Sequence, residues 1–159
     1  MKILWAGGTS FLQPTVDSFE LFGGHRNSRV RGNLDDVIKA LRENPFPYDA
    51  VAIDARGGGH MRTSSQEFHL DDDQRWNLDR LLLQEFRKVH PTTPCLVLHM
   101  GQKDGIDEKE ARAIESDKNT KVLDIFSGDA EDRVRRATAF LRDRVQQNKL
   151  PPGTGKVKS

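Results

Sequence analysis

Apolar residues along this chain fall into two kinds of block, and the two kinds alternate. Lys2-Ile3-Leu4-Trp5-Ala6, Tyr48-Asp49-Ala50-Val51-Ala52-Ile53-Asp54 and Pro94-Cys95-Leu96-Val97-Leu98-His99 are short, nearly continuous runs. Runs of this length, β-branched in places and followed by glycine or polar residues, predict buried strands. Between them the apolar spacing is helical. Val16, Phe19 and Phe22 mark a helix over 15–22, stopped by Gly23-Gly24. Leu34, Val37, Ile38 and Leu41 mark a second, with Asn33 as cap and Asp35 and Asp36 in the first turn, where the helix dipole favours acids. Leu78, Leu81, Leu82, Phe86 and Val89 form the stripe of a third, over about 74–89, which Pro91 ends. Ala111 and Ile114 lie on a short helix capped by Asp107, and Val134, Ala137, Leu141 and Val145 on a last one over 130–145 capped by Asp129.

Two further segments read as strands. The stretch 27–32 has only Val30 as an apolar residue and predicts an edge strand; 121–126 carries Val122, Leu123 and Ile125. Strands alternating with helices predict an α/β fold of three layers, a five-stranded parallel sheet with helices on both faces. The run ending at Asp54 is expected in the middle of the sheet. One domain is expected over 1–146, followed by a disordered tail over 147–159.

Composition narrows the function classes. Lys and Arg total 25 against 24 Asp and Glu, so a net charge of +1 gives no overall attraction to nucleic acid or to an anionic membrane, and neither is expected as a partner. No apolar run approaches the roughly 18–20 residues that span a bilayer, and no signal-peptide pattern opens the chain, so the expected location is the cytoplasm. The single cysteine, Cys95, sits inside a strand-like run, which excludes an internal disulfide and predicts a buried, inert thiol.

In parallel α/β sheets, ligands and chemistry collect at the carboxyl ends of the strands. That places Asp54, Gly7-Gly8-Thr9-Ser10 and His99 among the candidates. Asp54 either serves as a ligand-polarising acid or caps the turn into Ala55-Arg56-Gly57. Gly7-Gly8 either offers backbone amides to a phosphate or makes a plain tight turn, since it lacks both the P-loop lysine and the dinucleotide glycine spacing. His99 either acts as an acid or base or merely fills space. His60, His69 and Asp71-Asp72-Asp73 fit none of the familiar ligand spacings, and no metal or other cofactor is expected there. The stretch 57–75 that contains them exceeds a usual strand-to-helix connection. Arg133, Arg135, Arg136, Arg142 and Arg144 alternate with Asp132 and Asp143 and read as a solvated face.

Two segments carry a resemblance to a known family. The run from Gly32-Asn33-Leu34 through Pro45 into Tyr48–Asp54 resembles the second helix and third strand of the receiver domains of bacterial response regulators, the phosphate-accepting modules of two-component systems. Leu81-Leu82-Leu83-Gln84-Glu85-Phe86-Arg87-Lys88-Val89 through Pro94-Cys95-Leu96-Val97-Leu98 resembles the third helix and fourth strand. The likeness covers about 2–146 and implies a flavodoxin-like fold. It also implies that Asp54 stands at the phosphoacceptor position. Receivers pair that acid with two acids after the first strand, a hydroxyl ending the fourth and a lysine ending the fifth; this chain has Ala6-Gly7-Gly8, His99-Met100 and Asp124-Ile125-Phe126-Ser127 at those places, with Phe126 in the lysine's position. The resemblance therefore implies a degenerate pocket of Gly7, Gly8, His99 and Phe126 around Asp54, which binds no metal and runs no phosphorylation cycle.

Two functions are compatible with these residues. One is a pseudo-receiver, not an enzyme, that regulates by binding a protein partner or itself through 107–145, the segment matching the family's fourth helix, fifth strand and fifth helix. The other is an enzyme on a flavodoxin-like scaffold, a nucleoside-processing transferase or hydrolase using Asp54 and His99 under a lid formed by 57–75. An acid and base within hydrogen-bond reach in a closed pocket would favour the enzyme; a shallow, filled site would favour the interaction module.

Overall fold

A computed structural model describes residues 1–7, 12–30, 34–54, 78–99, 108–125 and 128–150; of residues 12, 54, 78, 79 and 99 it describes the backbone alone. The described elements are β1 (Lys2–Gly7), α1 (Leu12–Gly23), β2 (Arg26–Val30), α2 (Leu34–Leu41), β3 (Ala50–Asp54), α3 (Leu78–Val89), β4 (Cys95–His99), α4 (Glu108–Glu115), β5 (Thr120–Asp124) and α5 (Ala130–Lys149). The five strands form one sheet in the order β2-β1-β3-β4-β5, and every pairing is parallel. The expected α/β fold is present, with β3 in the centre.

Successive strand residues point to opposite faces, and each face is covered. Leu4, Ala6, Val51, Ile53, Cys95 and Val97 meet Leu34, Val37, Ile38 and Leu41 of α2, Leu82 and Phe86 of α3, and Ile114 of α4. Ile3, Trp5, Ala50, Ala52, Leu96, Leu98, Leu123 and Ile125 meet Val16 and Phe19 of α1 and Val134, Ala137 and Leu141 of α5. Cys95 is fully buried, and burial pushes its thiol up to about 12. A thiol reagent is accordingly expected to leave Cys95 unmodified in the native protein and to label it in denaturant, as intact mass would report; rapid native labelling would contradict this packing.

Several boundaries differ from the sequence pattern, each for a physical reason. α1 begins three residues before the expected start, at Leu12, and ends as expected at the glycine pair. Gly24, at φ 62°, donates to the Glu20 carbonyl at 3.1 Å, and the His25 amide reaches the Phe19 carbonyl, a left-handed glycine stop. Phe22, expected on the buried stripe, is 46% exposed. Six residues after Val16 it is a third of a turn off that line; Gly23 takes the inner position, where a Cβ would lie 3.2 Å from Val134 and only 2.5 Å from the His25 ring.

The edge strand β2 covers Arg26–Val30 rather than 27–32 and is held by more than its backbone ladder: the Trp5 indole donates to Asn27 Oδ1 at 2.7 Å. β5 starts one residue early and ends at Asp124, with Ile125 beyond it still buried. Asp129 is the N-cap of α5 by position, but its side chain makes no capping hydrogen bond. α5 runs to Lys149, so helix continues past the expected tail boundary at 147; 151–159 lie outside the described residues. Of the α5 arginines, Arg135, Arg136 and Arg142 are on a solvated face as expected, with Arg135 and Arg136 both paired to Asp132 at 2.6 and 3.1 Å, whereas Arg133 and Arg144 are half-buried.

Candidate functional site

The strand register assembles the candidate edge. Gly7 is the Cα partner of Asp54 across β1 and β3, and His99 is the partner of Asp124 across β4 and β5. Because all strands run the same way, Gly7, Asp54, His99 and Asp124 each end their strand at the same edge of the sheet. This is the convergence that the strand-end argument expected, and it brings Gly7, Asp54 and His99 together at the level of the backbone. The side chains of Asp54 and His99, with Gly8, Phe126 and the stretch 57–75 that holds His60, His69 and Asp71 to Asp73, lie outside the described residues.

The donor set at this edge can be tested against a divalent cation. Mg²⁺ takes near-octahedral oxygen coordination, usually with one or two carboxylates. Directly across from Asp54, β1 offers Gly7, which has no side chain, and Ala6 before it points into the core with no exposed surface. Neither can ligate through a side chain, so the described end of β1 brings no carboxylate to this edge.

Beside the edge, between the start of α1, the end of β5 and the start of α5, lies a depression of about 350 Å³ lined by Pro14, Thr15, Ser18, Phe19, Leu123, Ile125, Ala130, Arg133 and Val134. Its walls are mostly apolar. Arg133 lines it while donating to the Gly128 carbonyl at 2.6 Å, so that guanidinium is held at the rim.

Two buried polar arrangements were not anticipated from sequence. Glu85, 5% exposed, accepts from Lys88 at 2.8 Å and from Arg42 at 2.6 Å; the hydrogen bond from Lys88 and the charge of Arg42 hold its carboxyl below the usual range against the opposing effect of burial. This ion triad ties the end of α2 to α3. At the opposite edge of the sheet from Asp54, Arg87 reaches Asp117, Thr120 Oγ1 and three backbone carbonyls, those of His90, Thr93 and Asn119. Burial pushes the Asp117 carboxyl up, but bonds from the Asn119 amide, the Thr120 hydroxyl and Arg87 outweigh it and hold it low. Both arrangements are structural, being remote in sequence and topology from the strand ends at Asp54.

No protein-family model matches this chain, and no curated protein is similar to it. Solved structures are similar in fold. The receiver domain of a sensor histidine kinase from Pseudomonas aeruginosa, crystallised with magnesium in its active-site cleft, is 18% identical with a TM-score of 0.55, over 89% of this chain and 97% of that one. A response-regulator receiver domain from Clostridium thermocellum is 17% identical with a TM-score of 0.56, over 93% of this chain and 96% of that one. NtrX from Brucella abortus, solved with ADP, is 18% identical with a TM-score of 0.61 over 96% of this chain, which spans 30% of that protein. The fold is that of receiver domains, as the sequence resemblance implied.

Proposed function

We propose that this chain is a receiver-like signalling module that acts by protein–protein interaction and does not run a Mg²⁺-dependent phosphorylation cycle. The observation that carries the reading is the pairing of Gly7 with Asp54: the acid at the end of β3 faces a β1 terminus without a carboxylate. The transferring phosphoryl oxygens need metal or cationic neutralisation. β5 ends on Asp124, whose pairing with His99 adds an acid where a lysine would be useful. Partner binding is assigned to 107–145. Within it, the outer flank of α5 sets the half-buried Phe140 ring between Lys121 and Arg144, each cation 5.9 Å from the ring centre, a preformed surface that no phosphate is required to order.

The test is phosphorylation itself. Incubated with a small-molecule phosphodonor and Mg²⁺, the protein is expected to keep its intact mass. A gain of one phosphoryl group that vanishes in Asp54→Asn would overturn the proposal.

A further inference from the structure

Among the described residues, the large exposed hydrophobics are Leu21, at 76%, Phe22, at 46%, and Leu150. Two of the three are adjacent at the end of α1. A lone exposed leucine needs no explanation, but this pair borders a groove. Phe22 and Gly23 form one wall, and Glu131, Arg135, Thr138, Ala139 and Arg142 of α5 form the other, around about 290 Å³. At 3.6 residues per turn, Thr15, Ser18 and Phe22 lie on the flank of α1 that faces α5, while Asp17, Glu20 and Leu21 form a ridge on its crown and far flank. The same helix thus offers a groove on one side and a ridge on the other.

The charges are complementary across these two features. α1 carries Asp17 and Glu20 and no base, whereas α5 carries five arginines and Lys149 against Glu131, Asp132 and Asp143. Glu20 and Arg142 are both exposed, and neither has an ion-pair partner among the described residues. A surface that presents an acidic, leucine-tipped ridge beside a basic groove complements itself about a two-fold axis, since residue i meets j and j meets i.

We infer that the α1–α5 face joins two copies of this chain, the Asp17-Glu20-Leu21 ridge of each α1 entering the groove between α1 and α5 of the other. Leu21 then covers Phe22 and Ala139 of the second copy, and Glu20 pairs with Arg142. This contact lies on a different face from the Lys121–Phe140 surface assigned to a partner, so one copy can engage both.

Light scattering and sedimentation across a wide concentration range test it. The unaltered chain is expected to form a dimer. Leu21→Glu, at a position 76% exposed within one copy, is expected to weaken association about tenfold or more. Glu20→Arg and Arg142→Glu should each weaken it, and the two combined should restore it, a result that a general loss of folding cannot produce. Lys121→Glu, on the other face, should leave it unchanged. A chain that is monomeric throughout, a dimer indifferent to Leu21→Glu, or a charge swap that fails to restore assembly overturns the inference. Assembly lost only in Lys121→Glu also overturns it, and leaves the proposed partner face standing.

Discussion

Replacing Arg87 by alanine is expected to lower the unfolding free energy by about 3–5 kcal/mol, the range found when one partner of a buried ion pair is removed. Its side chain is 17% exposed and has a 2.7 Å ion pair with Asp117, whose own side chain is 34% exposed. The same guanidinium donates at 3.0, 2.6 and 3.1 Å to the carbonyls of His90, Thr93 and Asn119, and at 2.8 Å to the Thr120 hydroxyl. These acceptors belong to the end of α3, the turn into β4 and the turn into β5, so one planar cation closes two strand entrances. Truncation takes the guanidinium donor from the His90 and Thr93 carbonyls, while the Asn119 carbonyl keeps the Cys95 amide and Asp117 keeps the Asn119 amide and the Thr120 hydroxyl but loses its counter-charge. Each orphaned buried group costs about 1–3 kcal/mol, reduced here to the extent that water enters. Lysine is expected to recover less than half of the loss, because a point charge with three donors cannot reproduce a fork of five. Thermal melting should show a fall of roughly 10 °C for a domain of this size. A loss below about 1 kcal/mol would mean that water substitutes for the guanidinium and that Arg87 is incidental to the fold.

The fold was legible because its signal is repeated. Val51 and Ile53 alternate with Ala50 and Ala52, and Cys95 and Val97 with Leu96 and Leu98, so each central strand announces two apolar faces and hence helices on both sides. Strand ends were equally legible, which is why Gly7, Asp54 and His99 could be expected at one edge before any pairing was known. What sequence did not disclose depends on three-dimensional neighbours. Arg87, Glu85 and Lys88 are consecutive or nearly so on one helix, and no periodicity in the sequence marks them as the residues whose charges are anchored to neighbouring elements. β2 is a strand through its ladder with β1 and the Trp5–Asn27 bond, neither of which shows in five residues with one apolar side chain. Phe22 was misplaced because three residues at i, i+3 and i+6 drift around a helix by 120° over the last interval and its predecessor. At the site, register settles what lies opposite Asp54, whereas Gly8 and Phe126 lie outside the described residues.

His25 is expected to make the fold acid-sensitive before its carboxylates do. It is 4% exposed, its Nε2 is 2.8 Å from Thr138 Oγ1, its ring lies 5.8 Å from that of Phe19, and its Nδ1 is buried without a partner. Burial first, then the charges of the N-terminal amine and Arg142, push its pKa from 6.5 down to about 4. The unfolded chain therefore binds a proton at His25 more readily than the native one between these values. Stability from the neutral ring is fully present above pH 6.5 and is lost as pH falls toward 4, by about 3 kcal/mol at the lower end. Glu85 and Asp117, held below their ordinary values, lose their contribution only in the acid range beneath the usual carboxylate pKa. Denaturant titrations at stepped pH should show an unfolding free energy that falls by up to about 1.4 kcal/mol per unit in this window. His25→Gln keeps a group able to bond Thr138 but cannot titrate, so its curve should be flatter there even if the variant is less stable overall. An undiminished slope in His25→Gln would show that the acid sensitivity arises elsewhere and that the buried contact of His25 with Thr138 of α5 is not its source.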